Sequence, residues 1–126
     1  MRIEHLLERL EYHDDNPYAQ PLFVDAHGRI IRFMLKAGQK INEHNAPHSP
    51  LYLVVLQGRG TFSGGDGKEQ EFGPNTLLIF DPAENHSIHA LNEDLVFIGF
   101  LQGVPTARTE KIGGELGREE ENLTKQ

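Results

Sequence analysis

The chain contains no cysteine. That absence excludes a disulfide framework, a thiolate zinc site and a thiol nucleophile, and it leaves the redox compartment open. No run approaches the roughly 20 consecutive apolar residues that a membrane-crossing helix needs, so no membrane association is expected. Clusters of Lys and Arg are missing too, and the formal net charge is −7. Nothing is therefore positioned to neutralise phosphates, which argues against a nucleic-acid partner. There is no Gly-x-Ser-x-Gly. Ser49 and Ser87 each adjoin a histidine, but neighbours along a strand point to opposite faces, so no nucleophile–base pair is readable. The cluster Gly64-Gly65-Asp66-Gly67 has no helix after it and so lacks the form of a phosphate cradle. Met1-Arg2-Ile3-Glu4-His5 opens a charged amphipathic stretch in place of an apolar h-region. No signal peptide is expected, and a cytoplasmic protein is the default.

What is present points to β-structure. A chain of 126 residues fits one domain and can bury a core without disulfides or a structural metal. Its 13 glycines and seven prolines stand at the joints of short apolar runs, the pattern of an all-β domain with many turns. Apolar residues at 3, 6, 7 and 10 have helical spacing, and His13-Asp14-Asp15-Asn16-Pro17 ends the segment. A short N-terminal helix and lead-in are therefore expected over 1–16. Strands are expected over 21–26 and 29–35, around a turn at His27-Gly28, and again from 41 to 44 after Lys36-Ala37-Gly38-Gln39. The run Leu51-Tyr52-Leu53-Val54-Val55-Leu56 reads as a strand buried on both faces. Segments 61–63 and 69–72 bracket the glycine cluster as a hairpin. Segments 76–80, 86–91 and 95–101 complete the set, separated by turns that include Asn92-Glu93-Asp94. About nine short strands make a small barrel or double-sheet jelly roll over 17–105. Residues 106–126 are polar and glycine-rich and read as a tail outside the barrel.

Histidine is the residue type most suggestive of chemistry. His44, His48 and His86 sit at strand–turn boundaries beside Pro47, Pro50 and Pro82, and neutral imidazole is a common transition-metal ligand. Residues 44 and 48 share a face of an extended chain but lie about 13 Å apart at ~3.3 Å per residue. A shared ion therefore needs a bend, which Pro47 and Pro50 make feasible. His89 should face away from His86, and Tyr52 away from Leu51. His5, His13 and His27 are expected at the surface. Glu43 and Glu84 adjoin the key histidines and are read first as solvated carboxylates. Asp81 is a minor candidate for contact with a ligand or metal.

The stretch from Gly38 through His44, Ala46 and Leu51 to Gly58 resembles the first motif of the cupin superfamily: Gly, five residues, His-x-His, four residues, Glu, six residues, Gly. The spacing matches throughout, while Ala46 occupies the second His position and Leu51 the Glu position. The second motif, Gly-x5-Pro-x-Gly-x2-His-x3-Asn, aligns its His with His86 and places Asn75, Asp81, Ala83 and Ala90 at the other positions. The resemblance covers residues 29–101. It implies a small cupin β-barrel, usually paired as a homodimer, with His44 and His86 converging on a metal inside. With His48 as a third ligand and no carboxylate, the set would favour Zn, Ni, Fe or Cu over Mg or Ca. Leu51, Leu53 and Val55 would then line an apolar interior.

Two functions follow as expectations. One is a metal-binding small cupin, possible as an enzyme on a small organic molecule through a divalent metal held by His44, His48 and His86. The other is a non-enzymatic module that binds or senses a small ligand in the apolar pocket. The missing carboxylate and histidine favour the module, and His48 favours the metal.

Overall fold

Period-two alternation of inward apolar and outward residues governs the strands of this protein, described here by a computed structural model over residues 1–103. The tail expected at 106–126 lies outside the described residues. The strands are β1 (Tyr18–Asp25), β2 (Gly28–Leu35), β3 (Lys40–His44), β4 (Leu51–Gln57), β5 (Gly60–Ser63), β6 (Glu69–Phe72), β7 (Leu77–Phe80), β8 (His86–Ala90) and β9 (Leu95–Gln102). They form two antiparallel sheets, ordered β1-β2-β9-β4-β7 and β3-β8-β5-β6. The arrangement is an all-β jelly roll.

The inner faces meet in one core. The larger sheet contributes Ile31, Phe33 and Leu35 from β2, Leu51, Leu53 and Val55 from β4, and Leu95, Phe97 and Leu101 from β9. Ile41, Phe62, Ile88 and Ala90 close it from the smaller sheet. Phe33 stacks on Phe97 with centroids 4.8 Å apart, and Phe62 meets Phe97 edge-on at 5.9 Å. Tight backbone approach fixes one turn. Gly58 has φ +82°, and a Cβ there would lie 2.0 Å from the Asp94 carbonyl oxygen.

The N-terminal segment corrects the helix expectation, because the described residues contain no helix. Its apolar spacing is real, but its carbonyls are used elsewhere. Arg32 points outward from β2 yet is buried. Its Nη1 donates to the carbonyls of Leu6 (3.1 Å) and Glu8 (3.0 Å), and its Nη2 to that of Arg9 (3.3 Å). Gln20 receives a further guanidinium bond at 2.6 Å. A helix would commit those carbonyls to its own amides four residues on. Arg9 also has φ +55°, outside the helical region. The segment is therefore a strap held over the outer face of the larger sheet. Beyond the strap, a row of apolar residues crosses all five strands of that sheet. Phe23 pairs with Ile30, Ile30 with Phe100, Phe100 with Tyr52, and Tyr52 with Ile79.

Candidate metal and ligand site

His44 reaches the interior through an irregularity of its strand. Lys40 pairs with His89 and Ile41 with Ile88, so an unbroken ladder would set Glu43 opposite His86. Instead His44 takes that place. The extra residue reverses the alternation, so His44 faces the same side as the core residue Ile41. The histidines become direct cross-strand neighbours, with ring centroids 4.4 Å apart in an edge-to-face arrangement.

Backbone carbonyls fix both rings. His86 Nδ1 lies 3.1 Å from the Glu84 carbonyl and His44 Nδ1 lies 2.9 Å from that of Asn42. A carbonyl only accepts, so each Nδ1 carries a proton, and the neutral His86 ring keeps its Nε2 lone pair for another partner. His86 Nε2 is buried and has no hydrogen-bond partner among the described residues. Phe80 packs against the His86 ring at 4.8 Å. Burial, reinforced by the charge of His44, pushes the His86 pKa from 6.5 down to about 4. At neutral pH His86 is uncharged and able to donate its lone pair.

The histidines line a cavity of about 30 Å³ together with Arg29, Phe33, Asn45, Ala46, Leu51, Leu53, Ile88, Phe97 and Leu101. That volume holds one or two water-sized groups, far less than the several hundred Å³ that encloses a whole organic ligand. Two loops are tied together beside it. The Ala83 amide donates to the Ala46 carbonyl at 2.8 Å, and Asn45 Nδ2 donates to Asn85 Oδ1 at 2.8 Å. Ala83 has φ +66° and Asn75 φ +68°, so the backbone turns that glycines make in the second cupin motif survive without glycine.

The structure brings His44 and His86 together and leaves His48 apart. The chain does bend at Pro47, but the bend turns His48 to solvent, while Ala46 takes the place on the cavity wall. Among the described residues, no group of three or more His, Asp or Glu side chains is placed to hold an ion. The pair fits a transition metal with two protein donors and no more. Glu84 turns away, its carboxylate accepting the amides of Gly65 (2.8 Å) and Asp81 (2.9 Å), which hold its pKa below the usual range. Glu43 and Asp81 are exposed and do not line the cavity. His89 and Tyr52 occupy outward positions of β8 and β4, and His5, His13 and His27 are exposed. Arg29 is the site residue that the sequence reading passes over. Its signal is phase, since it stands two residues before Ile31 and four before Phe33 on the inward face of β2.

A family model for the cupin domain matches residues 31–98. No curated protein matches the chain. Among solved structures, an uncharacterized conserved protein with a double-stranded β-helix domain from Klebsiella pneumoniae is similar at 18% identity. Its TM-score is 0.76, over 82% of this chain and 90% of that one. An RmlC-like cupin protein from Desulfovibrio desulfuricans is 24% identical with a TM-score of 0.72, over 80% and 96% of the two chains. An RmlC-like cupin family protein from Methanocaldococcus jannaschii is 17% identical with a TM-score of 0.64, over 79% and 94%. At these identities the likeness speaks for the fold.

Proposed function

Since this chain belongs to the cupin domain family, we propose that His44 and His86 hold a divalent transition metal and that a small organic molecule completes its coordination. The observation that carries this reading is the buried, unpartnered Nε2 of His86 beside His44. A buried acceptor without a partner is costly, and a metal ion would satisfy it. Imidazole donors without a carboxylate suit Zn, Ni, Fe or Cu better than Mg or Ca. Such an ion would supply Lewis acidity toward a small substrate. The protein's own part is to fix both ring tautomers through the Asn42 and Glu84 carbonyls and to exclude bulk water. Mass spectrometry of metal content, with zinc titration, tests this. One ion per chain is expected, lost in His44→Ala and in His86→Ala and kept in His48→Ala. Full metal content in either of the first two variants refutes it.

A second reading, a non-enzymatic module for a small ligand, draws on the mostly apolar wall and the two-donor limit. We further propose a second copy of this chain as partner for the outer face of the larger sheet. The row from Phe23 to Ile79 carries no charge, although the chain as a whole has −7. Ile79 at its end is 61% exposed. Light scattering should give twice 14.2 kDa for the native chain. Ile79→Glu should give the single mass; a native chain already at that mass contradicts the pairing.

A further inference from the structure

The histidine cavity, at about 30 Å³, is too small for a whole organic molecule, but a larger hollow lies beside it. β6 ends one sheet and β7 the other, and no strand pairing joins them among the described residues. Between these two edges runs a groove of about 390 Å³. Phe62, Phe72, Leu78 and Phe80 form its apolar wall. The β5–β6 turn borders it, tied down by Glu84, which accepts the Gly65 amide at 2.8 Å. The charged groups lining the groove are Asp66 and Glu84 against Lys68, two carboxylates to one ammonium. Phe80 stands between the two spaces. Its ring, 6% exposed, belongs to the groove wall and packs on His86 with centroids 4.8 Å apart. His86 in turn lines the smaller cavity, where its Nε2 is buried without a partner among the described residues. That nitrogen is an acceptor, because Nδ1 donates its proton to the Glu84 carbonyl.

We propose that the groove between β6 and β7 binds the body of a small uncharged molecule with an apolar ring and a hydroxyl, and that displacement of the Phe80 ring lets the hydroxyl donate to His86 Nε2. A wall of phenylalanines favours a ring, which stacks on them or meets them edge-on. A hydroxyl supplies the donor that the buried acceptor lacks. A carboxylate supplies none, and along the groove it meets more carboxylates than ammoniums. Rotation of one side chain is the least change that joins the two spaces, since the backbone of Phe80 stays paired with Leu51 on β4. This rests on the reading that the histidine cavity receives an organic ligand, and it adds where the body of that ligand lies and which residue admits its head. The hydroxyl contact does not require the metal.

The experiment is an NMR titration, at neutral pH, of the metal-free, isotopically labelled full chain with benzyl alcohol, toluene and benzoate. It follows the Leu78 methyl groups, the Phe62 and Phe72 rings and His86 Nε2. With benzyl alcohol, groove and His86 signals should move together along one saturable curve. Toluene, which has no donor, and benzoate should each bind about tenfold more weakly or worse, the worth of one hydrogen bond. Phe80→Ala, which holds the partition open, should speed association of benzyl alcohol about tenfold or more, read from line shapes. Equal affinity for benzyl alcohol and either analogue, shifts confined to one of the two spaces, or no saturable shift overturns the inference even if Phe80→Ala fails to fold. An unchanged association rate in folded Phe80→Ala overturns it as well. A chain that binds benzyl alcohol in this way but takes up no zinc sinks the metal reading alone. A chain that binds zinc through His44 and His86 but no benzyl alcohol sinks this inference alone.

Discussion

Acid should unfold this barrel through His86, and the amount follows from its surroundings. The ring is 2% exposed, packed on Phe80 and beside His44, so its charged form is disfavoured in the fold. Its pKa of about 4 compares with 6.5 for a solvated histidine. Between those values the unfolded chain binds a proton that the folded chain refuses. Stability is therefore fully present above pH 6.5 and lost as pH falls toward 4. At about 1.4 kcal/mol per pH unit the gap amounts to about 3 kcal/mol, most of which is gone by pH 4.5. Urea unfolding of the native chain and of His86→Gln, at a series of pH values from 7.5 to 4.5, isolates this contribution. Other carboxylates and histidines titrate in both proteins and cancel in the difference. The variant should be weaker at pH 7.5 and should lack most of the native slope below 6.5. Parallel curves for the two proteins would refute the argument.

Two further predictions concern the frame around the site. Gly58→Ala should cost about 1–3 kcal/mol or more, read from urea or thermal melts, because φ of +82° and the Asp94 carbonyl both oppose a Cβ; an unchanged midpoint contradicts the close approach. Arg32→Ala removes the donors that hold the Leu6, Glu8 and Arg9 carbonyls, at about 2–3 kcal/mol. Limited proteolysis should then cut within residues 5–13 much faster than in the native chain, and an unchanged rate would show that the strap is held by something else.

The strands are legible in the sequence because their signals are local. The apolar run at β4 and the glycine cluster between β5 and β6 specify their elements without help from distant residues. The N-terminal segment misleads for the opposite reason. Its helical spacing is genuine, but a guanidinium some two dozen residues away claims its carbonyls, and that competition has no local signature. Half of the site is legible in the same sense. The cupin resemblance implies that His44 and His86 converge, and the structure makes them cross-strand neighbours. His48 satisfies residue type and invites a bend, yet the bend at Pro47 carries it outward. Arg29 is readable only by extending the inward phase of β2 back beyond Ile31, where a charge in an apolar register is easily taken for a strand end.

The extra residue in β3 makes the site depend on a count as well as on identities. His44 faces the interior because one position between Ile41 and His44 has no partner on β8. If the ladder ran regularly with every residue kept, Glu43 would face His86 and the imidazole would turn outward with every ligand-type side chain still encoded. Deleting one of the two codons between Ile41 and His44 would instead leave the histidine opposite His86, now as part of a regular ladder. A lineage carrying that deletion would break the motif spacing in an alignment while keeping the two histidines face to face.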